Sequence, residues 1–328
     1  MVTIPRKWAT EAGLRQGQMV SIERPSRTSF LINLDSSLRL GKGKRTARVW
    51  LREHDSTESL LIKIASLYTL GYDVIDIRWK NGGFDYSHRK TINRFTRKYL
   101  AGAELVNDTE DKLILQVLFD YSEQTAEHFL KRMLSITSSM IKDSVLSFES
   151  MDKELAKHVV LKGDEVERLK LLAKRQLNTL GTHDMKAIEL AQFIKIIEKI
   201  GDQACRIANE TIVASQESFD QANTITIKKM GDFAQNLVDE VSLSLLKEDY
   251  KSAEESIRKT QEFLELEKEL ICSFKKDLAI SSCEVSVVSV ALLLHEIVCL
   301  AKDLAEIVLE FTVERWVSTQ SINVLQQS

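Results

Sequence analysis

The sequence predicts a multidomain, mainly α-helical protein, with two tandem three-helix bundles preceded by a small β-rich segment and a small α/β domain. Three observations predict it. Both prolines, Pro5 and Pro25, and eight of the twelve glycines lie at or before Gly102, leaving four glycines and no proline in the following 226 residues. Since these residues punctuate turns and break helices, the tail should be long helices with short connections. Apolar positions after Glu123 recur at helical spacing, whereas before it the period alternates between strand and helix. Finally, the last three helices look like a diverged copy of the three before them. Placing Asp152 on Asp249 aligns Glu165 with Glu262 and Leu169 with Leu266, an offset of 97 residues. A slip of a few residues then brings Asp202 onto Asp303.

The 328 residues suit two or three domains. We place boundaries at 1–45, 46–122 and 123–328, the last divided into repeats 123–220 and 221–328. The net charge of −3 hides an asymmetry: residues 1–125 carry 20 Lys/Arg against 15 Asp/Glu, and the rest 25 against 33. A basic half and an acidic half meet different partners. The four cysteines (Cys205, Cys272, Cys283, Cys299) form no CxxC pair. This is how a reducing cytoplasm uses cysteine, and no leader-like preface follows Met1.

In chain order, "MVTIP" starts extended, "RKWATEAGL" is a short helix closed by Gly13, and "RQGQMVSIER" turns at Gly17 into a strand, with "TSFLINL" as the next. This run resembles the swapped-hairpin DNA-binding domain of the SpoVT-AbrB family: strand, Ile-Pro-Arg-Lys, short helix, Gly-Leu, two residues, Gly, strand. The resemblance implies an interlocked homodimer and DNA contacts from Arg6, Lys7 and Arg15, which as plain chemistry are also solvated helix-end charges. A strand normally precedes the proline in that family, and here only four residues do; that strand is missing or lies upstream of Met1. Residues 39–52, "RLGKGKRTARVWLR", add six cations without an acid, either as phosphate affinity through counterion release or as a solvated linker.

"TARVWL" is a strand, "DSTESLLIKIASLYTLG" a helix with Ser56 or Thr57 as N-cap and Gly71 just past its end. "YDVIDIRW" is a strand, "DYSHRKTINRFTRKYL" a helix, and "AELVNDTEDKLILQVLF" a hairpin turning at 107–111. Alternation of this kind argues a small α/β unit. Helices are expected over 123–148, 152–179, 184–216, 222–247, 249–279 and 283–318. The apolar run Val285–Ala301, interrupted by His295 and Glu296, reads as a buried core helix and not as a membrane span.

One stretch carries chemistry. In "FIKIIEKIGDQACRIANETI" (193–212), Glu198 and Asp202 stand one turn apart, where like charges repel. On a helical wheel Ile197, Ile200, Ala204 and Ile207 make the core stripe and both carboxylates fall on the polar side. From spacing alone they are a solvated acidic face, or a pair of hard oxygen ligands for one cation. The tail as a whole is similar to the PhoU family, on "EKIGD" with its continuation "QACRIANE", and on "MDKELAKHVVLKGDEVERLKLLAKRQL" from Met151. With its head and α/β middle, the full arrangement resembles the archaeal type of that family. That resemblance implies a cytoplasmic regulator of phosphate uptake or signalling, an adaptor and not an enzyme, docking on a phosphate transporter ATPase or a signalling kinase. It also implies a metal ion (Mg, Mn, Fe or Zn) held by Glu198 and Asp202 with Glu167 from the neighbouring helix. The second copy reads "CLAKD", so Glu296 and Asp303 are the candidates there, with Cys299 where a Glu would stand. No phosphate loop, zincin or nucleophile-elbow motif is present, and Cys/His clusters suited to structural zinc are lacking.

Overall fold

The structure is a computed structural model that describes residues 3–11, 13–15, 17–18, 20–23, 30–33, 44–51, 55–79, 83–119, 124–179, 185–214, 221–273 and 282–327. Helix α1 (Arg6–Glu11) leads through left-handed Gly13 and Gly17 into β1 (Ser21–Glu23), which pairs antiparallel with β2 (Leu31–Asn33). The order of elements is the expected one. Among the described residues of 3–33 none is buried, and Trp8, Ile22 and Phe30 are each more than 60% exposed.

The second unit runs β3 (Thr46–Leu51), α2 (Thr57–Thr69), β4 (Val74–Trp79), α3 (Tyr86–Tyr99), β5 (Ala103–Asp108) and β6 (Lys112–Val117). The sheet order is β3-β4-β6-β5, with β3 parallel to β4 and the other pairs antiparallel. Ser56 caps α2 by accepting from the Ser59 amide, and Asp85 caps α3 through the His88 amide. Strand alternation sends Ile75, Ile77, Leu113 and Leu115 into one core with Leu60, Ile64 and Tyr68 of α2 and Ile92 of α3. On the opposite face of the sheet Asp76 is buried, bridged by Arg48 and Arg78. Arg48 and Arg45 of the basic stretch are thus occupied within the fold, Arg45 donating to the Leu70 carbonyl. Arg39, Lys42 and Arg52 lie outside the described residues.

Six helices follow: α4 (Ala126–Ser150), α5 (Lys153–Thr179), α6 (Met185–Val213), α7 (Gln221–Lys247), α8 (Tyr250–Ser273) and α9 (Ser282–Gln327). Each of α4, α5 and α6 packs on the other two, as do α7, α8 and α9; the two triads join along α6 with α9 and α4 with α7. Their buried side chains form one continuous core. Helix α9 runs nine residues past the expected 318, and residues 274–279 of the expected fifth helix lie outside the described residues. By length and composition alone Glu284–Val313 could cross a membrane, but half of that stretch is buried within the protein. Val287, Val290, Leu294, Ile297, Ala301 and Leu304 pack into the helical core, as the interrupted apolar run suggested.

Several contacts recur 97 residues apart in the two triads. Lys162 bonds Asp143, and Lys259 bonds Glu240. The α4–α5 and α7–α8 turns pass through left-handed Met151 and Glu248, and the carboxylates that follow, Asp152 and Asp249, accept the first amides of their helices. Ser147 and Ser244 each donate to the carbonyl three residues back.

Gly163 shows how tightly α5 and α6 approach. A Cβ there would stand 2.5 Å from Cys205 Sγ, which explains a glycine inside a helix where it costs about 1 kcal/mol of propensity. Gly163→Ala is expected to lower stability by about 1–3 kcal/mol through overpacking, read as a fall in the denaturation midpoint. Adding Cys205→Ala should recover most of it; no recovery would mean the clash lies elsewhere.

Candidate functional site

Glu198 and Asp202 project from the middle of α6, on the side away from Ile197, Ile200, Ala204 and Ile207, all fully buried. What faces them is α5. Glu167 and Lys170, three apart on that helix, are neighbours on its surface. The Lys170 ammonium donates to Glu198 Oε1 at 2.7 Å and is paired at close range with Glu167. Its side chain is only 15% exposed, and those of Glu198 and Glu167 18% and 33%. The repulsion built into "EKIGD" is therefore answered by a cation from the chain itself.

The electrostatics follow from this placement. Burial would push the Lys170 ammonium down, but the hydrogen bonds to Glu167 and Glu198 win and hold it above its ordinary value. Glu167 moves up, driven first by burial and opposed by Lys170. Asp202 also moves up, through burial and then the nearby Glu198 charge. Lys174, one turn beyond Lys170, is pushed down by burial and by the Lys170 charge. The site is a compact network in which one ammonium serves two carboxylates and Asp202 stands beside it.

Tested against a metal ion, this donor set does not fit. The position between Glu167 and Glu198 is filled by an ammonium, and among the described residues no three His, Cys, Asp or Glu side chains gather closely enough to hold a metal.

A carboxylate also meets a nitrogen side chain at the positions 97 residues on. Residues 97 on from Lys170 and Glu198 are Glu267 and His295, and His295 Nδ1 lies 2.7 Å from Glu267 Oε1, at ion-pair distance without hydrogen-bond alignment. An unbroken 97-residue offset places Asp202 on Cys299, and the slip of a few residues places it on Asp303. Glu296 and Asp303 are both exposed and are not joined to that pair. Burial, and then the adjacent Glu306, raises Asp303. Cys205, one turn from Asp202, is half-buried, and burial pushes its thiol up to about 11.

At the other end of the chain Arg6 and Lys7 occupy the first turn of α1 and Arg15 the Gly13–Gly17 turn, all exposed. The Arg15 amide donates to Gln18 Oε1, which fixes the turn.

Residues 130–211 match a family model described as PhoU domain. The matched segment runs from α4 through α6 and contains Glu167, Lys170, Glu198 and Asp202. Among solved structures, PhoU from Pseudomonas aeruginosa aligns with a TM-score of 0.53 and 18% identity, over 58% of this chain and 95% of that one. The phosphate transport system regulatory protein PhoU from Streptococcus pneumoniae aligns with a TM-score of 0.51 and 13% identity, over 56% and 91%. The helical half therefore has the fold of these PhoU proteins. No curated protein sequence matches the chain.

Proposed function

We propose that the chain is a PhoU-type regulator of phosphate uptake or phosphate signalling, a cytoplasmic adaptor whose helical half docks on a phosphate transporter ATPase or a signalling kinase. The observation that carries this reading is the PhoU domain match over α4–α6 within a six-helix body of the PhoU fold. Deleting the gene in its own host is expected to raise phosphate uptake in phosphate-rich medium, with the wild-type gene restoring repression. Unchanged uptake would overturn the assignment.

In this reading the site does no chemistry, and Lys170 takes the place of the metal expected at Glu198, Asp202 and Glu167. Elemental analysis should find equal metal in the purified protein and in the Glu198→Ala/Asp202→Ala variant. More metal in the wild type would restore the metal reading.

The N-terminal segment is proposed as a SpoVT-AbrB-like dimerisation head. A two-stranded hairpin and a six-residue helix with no buried described residue fall short of independent stability. Exposed Trp8, Ile22 and Phe30 would find cover in a second copy. The full chain is expected to sediment as a dimer, and Trp8→Asp/Phe30→Asp to sediment as a monomer. Such a head would present Arg6, Lys7 and Arg15 to DNA. Shift assays on duplex DNA at two salt concentrations test that, because phosphate contacts lose affinity as salt rises.

A further inference from the structure

A cavity of about 470 Å³ opens where the α/β unit meets the helical half, away from Glu167, Lys170, Glu198 and Asp202. Its walls are the C-terminal turns of α3, the Ala101–Gly102 turn with the start of β5, Phe119 beyond β6, and Arg168 of α5. The volume lies in the range of small-molecule sites, and domain junctions are where such sites concentrate.

The charged lining decides what it would take. Arg97 from α3 and Arg168 from α5 both line it, and Glu104 is the one acid among the lining residues. The protein pairs its cations widely: Lys98 with Asp164, Arg89 with Asp108, Arg132 with Glu165. Arg97 and Arg168 have no ion-pair or hydrogen-bond partner among the described residues. Two unpartnered guanidiniums lining one cavity suit a multivalent oxyanion, since guanidinium groups bind phosphate oxygens bidentately. Beside them, the Asn93 amide offers donors and an acceptor, and the Phe119 ring, 63% exposed, offers a flat apolar face.

We propose that this cavity binds a small phosphorylated molecule of nucleotide size, its phosphates on Arg97 and Arg168 and its ring against Phe119. Because Arg168 follows Glu167, an occupied cavity would clamp the α/β unit to the helix that carries Lys170. The proposal does not rest on the regulatory reading, and phosphate-uptake measurements do not bear on it.

Calorimetric titration of the full chain with ATP, pyrophosphate and adenosine tests it. ATP is expected to bind, pyrophosphate to bind more weakly, and adenosine not to bind. Arg97→Gln or Arg168→Gln should weaken ATP by about tenfold and the pair by about a hundredfold. Glu104→Gln, which removes the opposing charge, should tighten it by about threefold. Arg94→Gln, on an exposed face of the same helix and outside the lining, should leave it unchanged. Arg94, Arg97, Glu104 and Arg168 are all exposed, and a thermal melt identifies any variant that fails to fold. Absence of ATP binding, equal loss in Arg94→Gln and Arg97→Gln, or adenosine binding as tightly as ATP would each overturn the proposal.

Discussion

Lys170→Met is expected to cost about 2–4 kcal/mol of stability, because it leaves the two part-buried carboxylates of Glu167 and Glu198 facing one another without their cation. Methionine keeps the length and packing of the lysine stem, so the loss reports charge and not a cavity. In a helical half of this size the melting temperature should fall by about 5–10 °C. The pH dependence has a defined sign. The Lys170 ammonium is held above its ordinary value of 10.5, so its contribution is complete below that value and is lost as pH rises through the folded one. Wild type should therefore shed stability in alkaline solution along a limb that Lys170→Met lacks. Glu167 and Asp202 are raised, so they favour the fold most when protonated and lose that contribution as pH rises through their folded values. Without Lys170 that effect grows, and the gap to wild type should narrow as pH falls from 7 toward 5. A gap that stays constant over that range would show that Lys170 acts through packing alone. Lys170→Met/Glu198→Met, which removes both charges, should be more stable than the single variant.

That site was half legible in the sequence. Periodicity placed Glu198 and Asp202 off the core stripe, and Ile197, Ile200, Ala204 and Ile207 are buried as the wheel required. What periodicity could not supply was the rotational register of α5 against α6, which decides whether Lys170 or solvent faces Glu198. A signal did exist. Glu167 and Lys170 are a three-apart pair on the neighbouring helix, and the positions 97 on from Lys170 and Glu198 hold Glu267 and His295, which also meet.

The elements of the α/β unit were readable for a local reason: strand alternation, the Ser56 cap and the 107–111 turn are encoded within a few residues of where they act. Its ties to the helical half were not. A cut near residue 122 treats the unit as self-contained, yet Leu171 of α5 belongs to its core. Gly71 adds a second tie: it adopts φ +86° at the end of α2, where a Cβ would meet the Thr179 methyl of α5 at 2.5 Å. Neither contact has a signature in sequence, because each joins residues about a hundred positions apart.

Arg175→Met should therefore do more than weaken one bond. The last carbonyls of a helix have no partner within it, and they carry the negative end of its dipole. At the end of α2 these groups are taken by side chains from outside the helix: Tyr68 O by Arg175, Thr69 O by Asn178 and Leu70 O by Arg45. Arg175 reaches further, to Tyr72 O at 2.8 Å and the Asp73 carboxylate at 2.7 Å, and its guanidinium lies 5.0 Å from the centre of the Tyr68 ring. Its side chain is 11% exposed, so removing it takes the guanidinium from Tyr72 O and leaves Tyr68 O with the Gly71 amide and the Asp73 carboxylate with the Arg45 amide, in a place that water reaches poorly. The expected cost is about 2–4 kcal/mol, concentrated at the junction. Calorimetry should then resolve the single wild-type unfolding peak into an earlier transition of the α/β unit and a later one of the helical half. Arg175→Lys should behave nearly as badly, since a point ammonium cannot span two carbonyls and a carboxylate in one plane. One cooperative transition in both variants would mean that Leu171 and the apolar contacts around it, and not the guanidinium, weld the two units together.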